Sequence, residues 1–188
     1  MEEKKSRYIA AAFTGYRPSK MPFPQTEENI RCYGKRIEEE VLRQAALGIR
    51  YFMSGMCNGA DLWAAEAVLR VKAEKAPHIG LYAIIPFEGQ DRYFTPAEKA
   101  AYRAVIEKAE KTVILSPPVS GRGMAAKAFD RRNRYMVDHC DVLIALCEHT
   151  NIQAGGTRNT VRYAEETGKT VVFLPPTSVG CRILSWLL

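Results

Sequence analysis

The chain has 188 residues, 47% of them hydrophobic, and 27 Lys and Arg against 21 Asp and Glu give a formal net charge of +6. That is enough chain for one sizeable domain around a single core, and no apolar run approaches the roughly 20 residues that span a bilayer. The positive balance favours anionic ligands, nucleotides or nucleic acid, over cationic ones, although a solvated basic surface has the same composition.

Met1 to Arg7 is charged, and the apolar stretch after it, Tyr8 to Phe13, is too short for a signal-peptide core. The five cysteines are odd in number and form no CxxC pair, as expected of a reducing, cytoplasmic compartment. Cys140, Cys147 and His149 are close enough to raise a metal site, but two cysteines bracketing a buried strand as small hydrophobes explain the spacing without one.

Along the chain, strands and helices alternate. Tyr8 to Thr14 reads as a strand. Thr26 to Leu47 reads as a helix, with Thr26 as N-cap, Glu27 and Glu28 in the first turn and Gly48 at the end. Arg50 to Met53 is a short strand, and Ala60 to Lys75 a helix with Leu62, Ala65 and Leu69 on one face. Ile79 to Ile85 is an apolar strand closed by Pro86. Pro96 to Ala109 is a helix capped by Thr95. Strands follow at Thr112 to Leu115, Val142 to Leu146 and Thr170 to Leu174, separated by helices near Ala125 to Asp138 and at Thr157 to Thr167. The apolar end, Ile183 to Leu188, reads as a docking segment.

Several strands are apolar throughout, the mark of a parallel sheet covered on both faces. The expected architecture is one doubly wound, Rossmann-like α/β domain over residues 1–188, with no repeat or linker. Ligands of such sheets bind at the carboxyl ends of the strands, near the switch point, so the chemistry is sought in the strand-to-helix turns.

Four stretches stand out. The first turn carries Thr14, Gly15 and Arg17, a hydroxyl and a guanidinium beside a tight bend. The second runs Ser54-Gly55-Met56-Cys57-Asn58-Gly59-Ala60-Asp61. There, two glycines allow positive φ and close approach, Asn58 is a candidate N-cap, and the amides after Gly59 form a helix start suited to an anion. Asp61 either caps or holds a ribose hydroxyl. This loop is neither a Walker A nor a GxGxxG motif, and a tight turn with no ligand has the same spacing. The third is Gly155-Gly156-Thr157-Arg158-Asn159-Thr160, whose amides and two hydroxyls face one way at a helix start, which suits a phosphate, although Thr157 serving only as an N-cap has the same spacing. The fourth, Arg131-Arg132-Asn133-Arg134, offers phosphate clamps or a solvated basic face.

Together these motifs resemble the SLOG superfamily, which unites SMF/DprA DNA-processing proteins with LOG nucleotide hydrolases, and within it the YpsA-like branch of bacterial cytosolic proteins. The resemblance covers roughly residues 8–176. It implies a Rossmann-like domain, frequent dimerisation and a nucleotide-derived ligand, with NAD or ADP-ribose proposed for this branch. It also implies two alternatives: single-stranded DNA binding as in DprA-like relatives, and N-glycosidic cleavage of nucleoside monophosphates as in LOG-like ones. The LOG motif Gly-Gly-x-Gly-Thr-x-Glu places its catalytic glutamate where this chain has Asn159, which counts against hydrolysis; Glu66 and Glu165 are the acids left to substitute. The expected ligand residues are Thr14, Gly15, Arg17, Ser54, Gly55, Asn58, Gly59, Asp61, Arg131, Asn133, Arg134, Gly155, Gly156, Thr157 and Thr160, with no metal.

Overall fold

The structure, a computed structural model, describes residues 9–177; the charged Met1 to Arg7 and the apolar end from Ile183 fall outside that range. Six strands form one parallel sheet: β1 (Ala10–Gly15), β2 (Tyr51–Ser54), β3 (Gly80–Ile85), β4 (Lys111–Ile114), β5 (Val142–Leu146) and β6 (Thr170–Phe173). Five helices connect them: α1 (Glu27–Ala46), α2 (Ala60–Glu74), α3 (Pro96–Lys108), α4 (Arg122–Asp138) and α5 (Gly156–Glu166). The strand order is β4-β3-β2-β1-β5-β6, so the fold is Rossmann-like and α/β.

Local signals start α1 and α3 where the sequence places them, whereas α4 begins at Arg122, three residues before the expected Ala125, with a glycine N-cap and no side-chain cap. Thr26 Oγ1 accepts from Asn29 N at the head of α1, with Glu27 and Glu28 in its first turn. Thr95 and Glu98 form a reciprocal capping box at the head of α3, where Pro96 needs no amide partner. The Asn58 expectation is corrected: the N-cap of α2 is Gly59, and Asn58 Nδ2 donates to Glu98 Oε1 instead.

The central strands are buried on both faces, which is why they read as continuous apolar runs. On one face Phe13, Phe52, Leu81 and Ile144 pack beneath α1, α2 and α3 with Ile37, Val41 and Val68. On the other, Ala12, Leu143 and Ala145 pack beneath α4 and α5 with Met136, Val137 and Val161. Each large side chain so buried contributes on the order of 1.5–3 kcal/mol. Cys140 and Cys147 belong to this second core, where burial pushes each thiol up to about 12, and the His149 ring packs on Phe173.

β1 pairs with β2 on one side and β5 on the other, Ala11 facing Phe52 and Val142. The chain leaves β1 towards one face and β5 towards the other. The loops after them therefore diverge and open a crevice at the carboxyl edge, the switch point.

Candidate functional site

The β1 loop supplies one wall of the crevice. Tyr16 turns inward and is 2% exposed. Its hydroxyl donates to Glu148 Oε2 at 2.6 Å and accepts from Gln153 N at 3.1 Å. Burial, then the bond to Glu148, raises its pKa to about 12. Lys20 Nζ donates to Ala154 O at 2.6 Å, Gln153 Nε2 to Lys20 O at 3.1 Å, and Thr157 Oγ1 to Gly15 O at 2.8 Å. These bonds tie the loop after β5 to the loop after β1 and fix the start of α5 over the crevice.

That start is open. Its N-cap, Gly155, has φ 139° and no side chain to cap with, and no acidic residue stands in the first turn. Asn159 N already bonds Gly155 O. The amides of Gly156, Thr157 and Arg158 have no acceptor within the helix and form the positive end of its dipole. Gly155, Gly156 and Thr157 line a cavity of about 360 Å³ together with Thr14, Gly15 and Arg17. Thr160 is buried and donates to Gly156 O at 2.8 Å, so it braces the turn from behind.

The second glycine turn is organised differently. Ser54 Oγ, fully buried, donates to Asp61 O at 2.7 Å and accepts from Met56 N at 3.1 Å. A Cβ on Gly55 would lie 1.3 Å from Arg132 Nη1, so Gly55 makes room for a guanidinium of the protein itself. Positive φ falls on Met56 (57°) and Gly59 (94°). A Cβ on Gly59 would come within 2.7 Å of Pro18 Cδ and 2.9 Å of Tyr16 O. Ala60 N donates to Tyr16 O at 3.2 Å and Leu62 N to Cys57 O at 3.1 Å. The helix start expected to hold an anion here thus serves carbonyls of the β1 loop and of its own turn.

Asp61 is 7% exposed and faces Arg132, whose Nη1 lies 3.3 Å from its Oδ2. Burial pushes its carboxyl above the usual range, against the pull of Arg132 and Arg17. Arg132 is 4% exposed; its Nη2 donates to Cys57 Sγ at 3.3 Å, and its Nε has no partner among the described residues. The Phe129 ring has the Arg17 guanidinium 5.3 Å and the Arg132 guanidinium 5.8 Å from its centre.

Of the expected residues, Thr14, Gly15, Arg17, Asn58, Asp61, Asn133, Gly155, Gly156 and Thr157 line one cavity. Ser54, Gly55, Gly59 and Thr160 stand behind its wall. Arg131 and Arg134 open instead onto a neighbouring depression with Lys127 and Tyr135. Arg134 is engaged there by Asp130, at 3.0 Å, and lies 4.5 Å over Tyr163. Sequence reasoning missed Phe129, Lys20 and Tyr16, and it took Arg132 for a phosphate clamp or a solvated residue rather than the buried partner of Asp61. A signal for two of them was present: Phe129, Arg132 and Met136 are spaced i, i+3 and i+7, one helix face.

Set beside known families, residues 11–178 match the profile of the YspA SLOG family. The chain belongs to that family. Similar curated proteins include a UPF0398 protein of Halalkalibacterium halodurans, 28% identical over 135 residues, 71% of this chain and 69% of that one. The uncharacterised SPbeta prophage-derived protein YoqJ of Bacillus subtilis is 28% identical over 123 residues, 62% of this chain and 70% of its own. Among solved structures, DNA processing protein A of Streptococcus pneumoniae superposes with a TM-score of 0.57 at 19% identity; 96% of this chain spans only 58% of that one. DNA processing protein A of Helicobacter pylori, solved for its single-stranded DNA binding mode, gives 0.56 at 17%, over 93% of this chain and 71% of its own. At such identities the likeness is one of fold. Among the described residues of this family member, no helix is long and apolar enough to cross a membrane.

Proposed function

We propose that the chain binds a nucleotide-derived ligand, an ADP-ribose- or NAD-like molecule or a nucleoside monophosphate, by a phosphate held at the start of α5. The observation that carries this reading is the pairing, in one cavity, of an uncapped helix start with the exposed Arg17 guanidinium. The two carboxylates lining the same cavity are both engaged, Asp61 by Arg132 and Asp130 by Arg134, which limits their repulsion of an anion. Open amides plus a cation form a ready anion site. A thermal-shift panel of NAD, ADP-ribose, nucleoside monophosphates, cyclic nucleotides and inorganic phosphate tests it. A ligand bound only by the native state adds about 2.7 kcal/mol of stability at a hundredfold excess over its Kd. No shift with any member defeats the reading.

The site is proposed to bind without cleaving. Asn159 lines the cavity where the resemblance sets a glutamate. Of the two acids left to substitute, Glu66 lies beside Arg70 in a depression lined by α2 and α3, and Glu165 does not line the cavity. An amide offers no proton transfer at neutral pH and only a dipole to an oxocarbenium ion. Incubation with AMP, CMP, GMP and UMP is expected to release no free base at an enzyme-like rate, and turnover near one per second refutes this.

A second reading, single-stranded nucleic acid, is favoured by exposed Lys127 and Arg131 on α4 and by the fold likeness to DNA processing protein A. It predicts affinity that falls steeply with salt. A cytoplasmic homodimer is proposed on the strength of the resemblance, and sedimentation at micromolar concentration tests the dimer.

A further inference from the structure

We propose that the site has a second chamber and that the ligand's aromatic base occupies it. The inference rests on the phosphate-binding reading above and adds where the rest of the ligand lies. A cavity of about 610 Å³ lies beyond Arg17, at the carboxyl end of β3. Arg17, Asn58 and Phe129 line both cavities, so the Arg17 guanidinium over the Phe129 ring marks their boundary.

The two chambers differ in chemistry. The first presents open amides and cations. The second has four aromatic rings, Phe87, Phe94, Phe129 and Tyr93, alongside Arg92, Arg122 and Glu98, of which Arg92 donates to Val119 O and Glu98 accepts from Asn58 and Thr95 N. Tyr93 is 88% exposed, so it adds little to the core, yet its place is defined. It ends the short turn Gln90–Tyr93, and the Arg92 guanidinium lies 5.3 Å from its ring centre while donating to Val119 O. An exposed ring backed by a guanidinium is a stacking platform for a planar heterocycle, since every base has a π-face.

Gln90 adds a polar element to the same wall. It is 7% exposed; its Nε2 donates to Met56 O at 3.2 Å and to Tyr102 Oη at 3.3 Å, and its Oε1 has no partner among the described residues. A buried carbonyl oxygen without a donor is uncommon in a folded protein. Gln90 lines this chamber, so its free oxygen is the acceptor available there for an N–H on the edge of a base. The opposite wall is the start of α4, through Ser120, Gly121 and Arg122, again with a glycine N-cap and no side-chain cap. Donors on that side suit the acceptor atoms of a base.

The test compares ribose 5-phosphate, which reaches only the first chamber, with AMP, CMP, GMP and UMP, by calorimetry on wild type, Tyr93→Ser and Arg17→Ala. Stacking on one aromatic platform predicts that the tightest nucleotide exceeds ribose 5-phosphate by on the order of tenfold. Tyr93→Ser, a change at an exposed position, is expected to erase most of that advantage and to leave ribose 5-phosphate unchanged. Arg17→Ala is expected to weaken both. If wild type binds ribose 5-phosphate as tightly as every nucleotide, or if Tyr93→Ser leaves the advantage intact, the second chamber is refuted and the phosphate site stands. If wild type binds none of the five probes, this inference is refuted; if NAD, ADP-ribose and inorganic phosphate also give no thermal shift, the phosphate site fails with it.

Discussion

Two glycine-bearing turns leave the same edge of the sheet and open helices of similar appearance, yet they are packed differently. In the turn after β2, Gly55 admits the Arg132 guanidinium and Gly59 admits the β1 loop. The amide of Ala60 bonds Tyr16 O and that of Leu62 bonds Cys57 O. In the turn after β5, Gly155 is approached by Lys20 Nζ, 3.0 Å from where its Cβ would lie, but a Cβ on Gly156 would meet nothing nearer than Asn133 Nδ2 at 3.7 Å, and the helix start faces a cavity. A glycine before a helix therefore signals that something approaches the backbone closely, and packing decides whether that is the protein or a ligand. The first turn builds the wall on which the second can hold a ligand.

The largest effect expected from this contrast is on folding. Gly55→Ala places a methyl group where Arg132 Nη1 lies and forces the guanidinium off Asp61. Separating a buried ion pair costs about 3–5 kcal/mol, and in a domain of this size each kcal/mol lowers Tm by roughly 2–4 °C. Gly59→Val is expected to be similarly severe, because it adds a branched side chain at φ 94° against Pro18. Gly156→Ala should leave Tm nearly unchanged. Melting curves of the three variants break the comparison if Gly59→Val melts like wild type.

The contrast also marks how far the sequence carries. Elements governed by local chemistry were legible: β5 spans Val142–Leu146 as its apolar run indicates, and Thr95 with Pro96 announces the start of α3, where the structure adds Glu98 to complete a capping box. The turn chemistry was legible as glycines and hydroxyls, but not as partners. Asn58 looks like a cap because Asn commonly caps, and only the folded chain brings Glu98 to it from 40 residues away. In the basic run of α4, charge was visible and facing was not. Arg131 and Arg134 are exposed, while Arg132, one position from either Arg131 or Asn133, is 4% exposed against Asp61, 71 residues earlier. Non-local pairing of this kind leaves no spacing in the sequence beyond the helical face shared with Phe129 and Met136.

The next effect is on affinity, and it sharpens the contrast on the ligand side. Arg17→Ala is expected to weaken phosphate-bearing ligands by roughly 10- to 150-fold, because a hydrogen bond to a charged group is worth about 1.5–3 kcal/mol. Arg158→Ala, on an exposed position that does not line the cavity, is expected to change affinity less than twofold. Arg134→Ala should weaken affinity less than Arg17→Ala does, since that side chain does not line the cavity and acts only through Asp130, which it holds beside Tyr163. Calorimetry that ranks Arg134→Ala above Arg17→Ala moves the anion site to the outer depression of α4.

The smallest effect concerns the strap that joins the two turns, and it depends on pH. Tyr16→Phe removes the hydroxyl that donates to Glu148 and accepts from Gln153 N. At neutral pH the expected loss is about 1 kcal/mol, the net worth of an ordinary hydrogen bond, or roughly 2–4 °C in Tm. The folded-state pKa of Tyr16 is raised from 10.0 to about 12, because burial and Glu148 both favour the protonated phenol. The unfolded chain therefore releases this proton first as pH rises. The contribution is complete below pH 10 and declines between pH 10 and 12 as the unfolded state ionises. Phenylalanine has no such proton. The difference in Tm between wild type and Tyr16→Phe should hold steady from pH 7 to 9.5 and narrow above pH 10. Tyr102 is also raised to about 12 and sits in both proteins, so it cancels in the difference. A difference that stays constant to pH 11 means the hydroxyl is not held by Glu148. The loop after β5 would then need another tether to keep the start of α5 over the crevice.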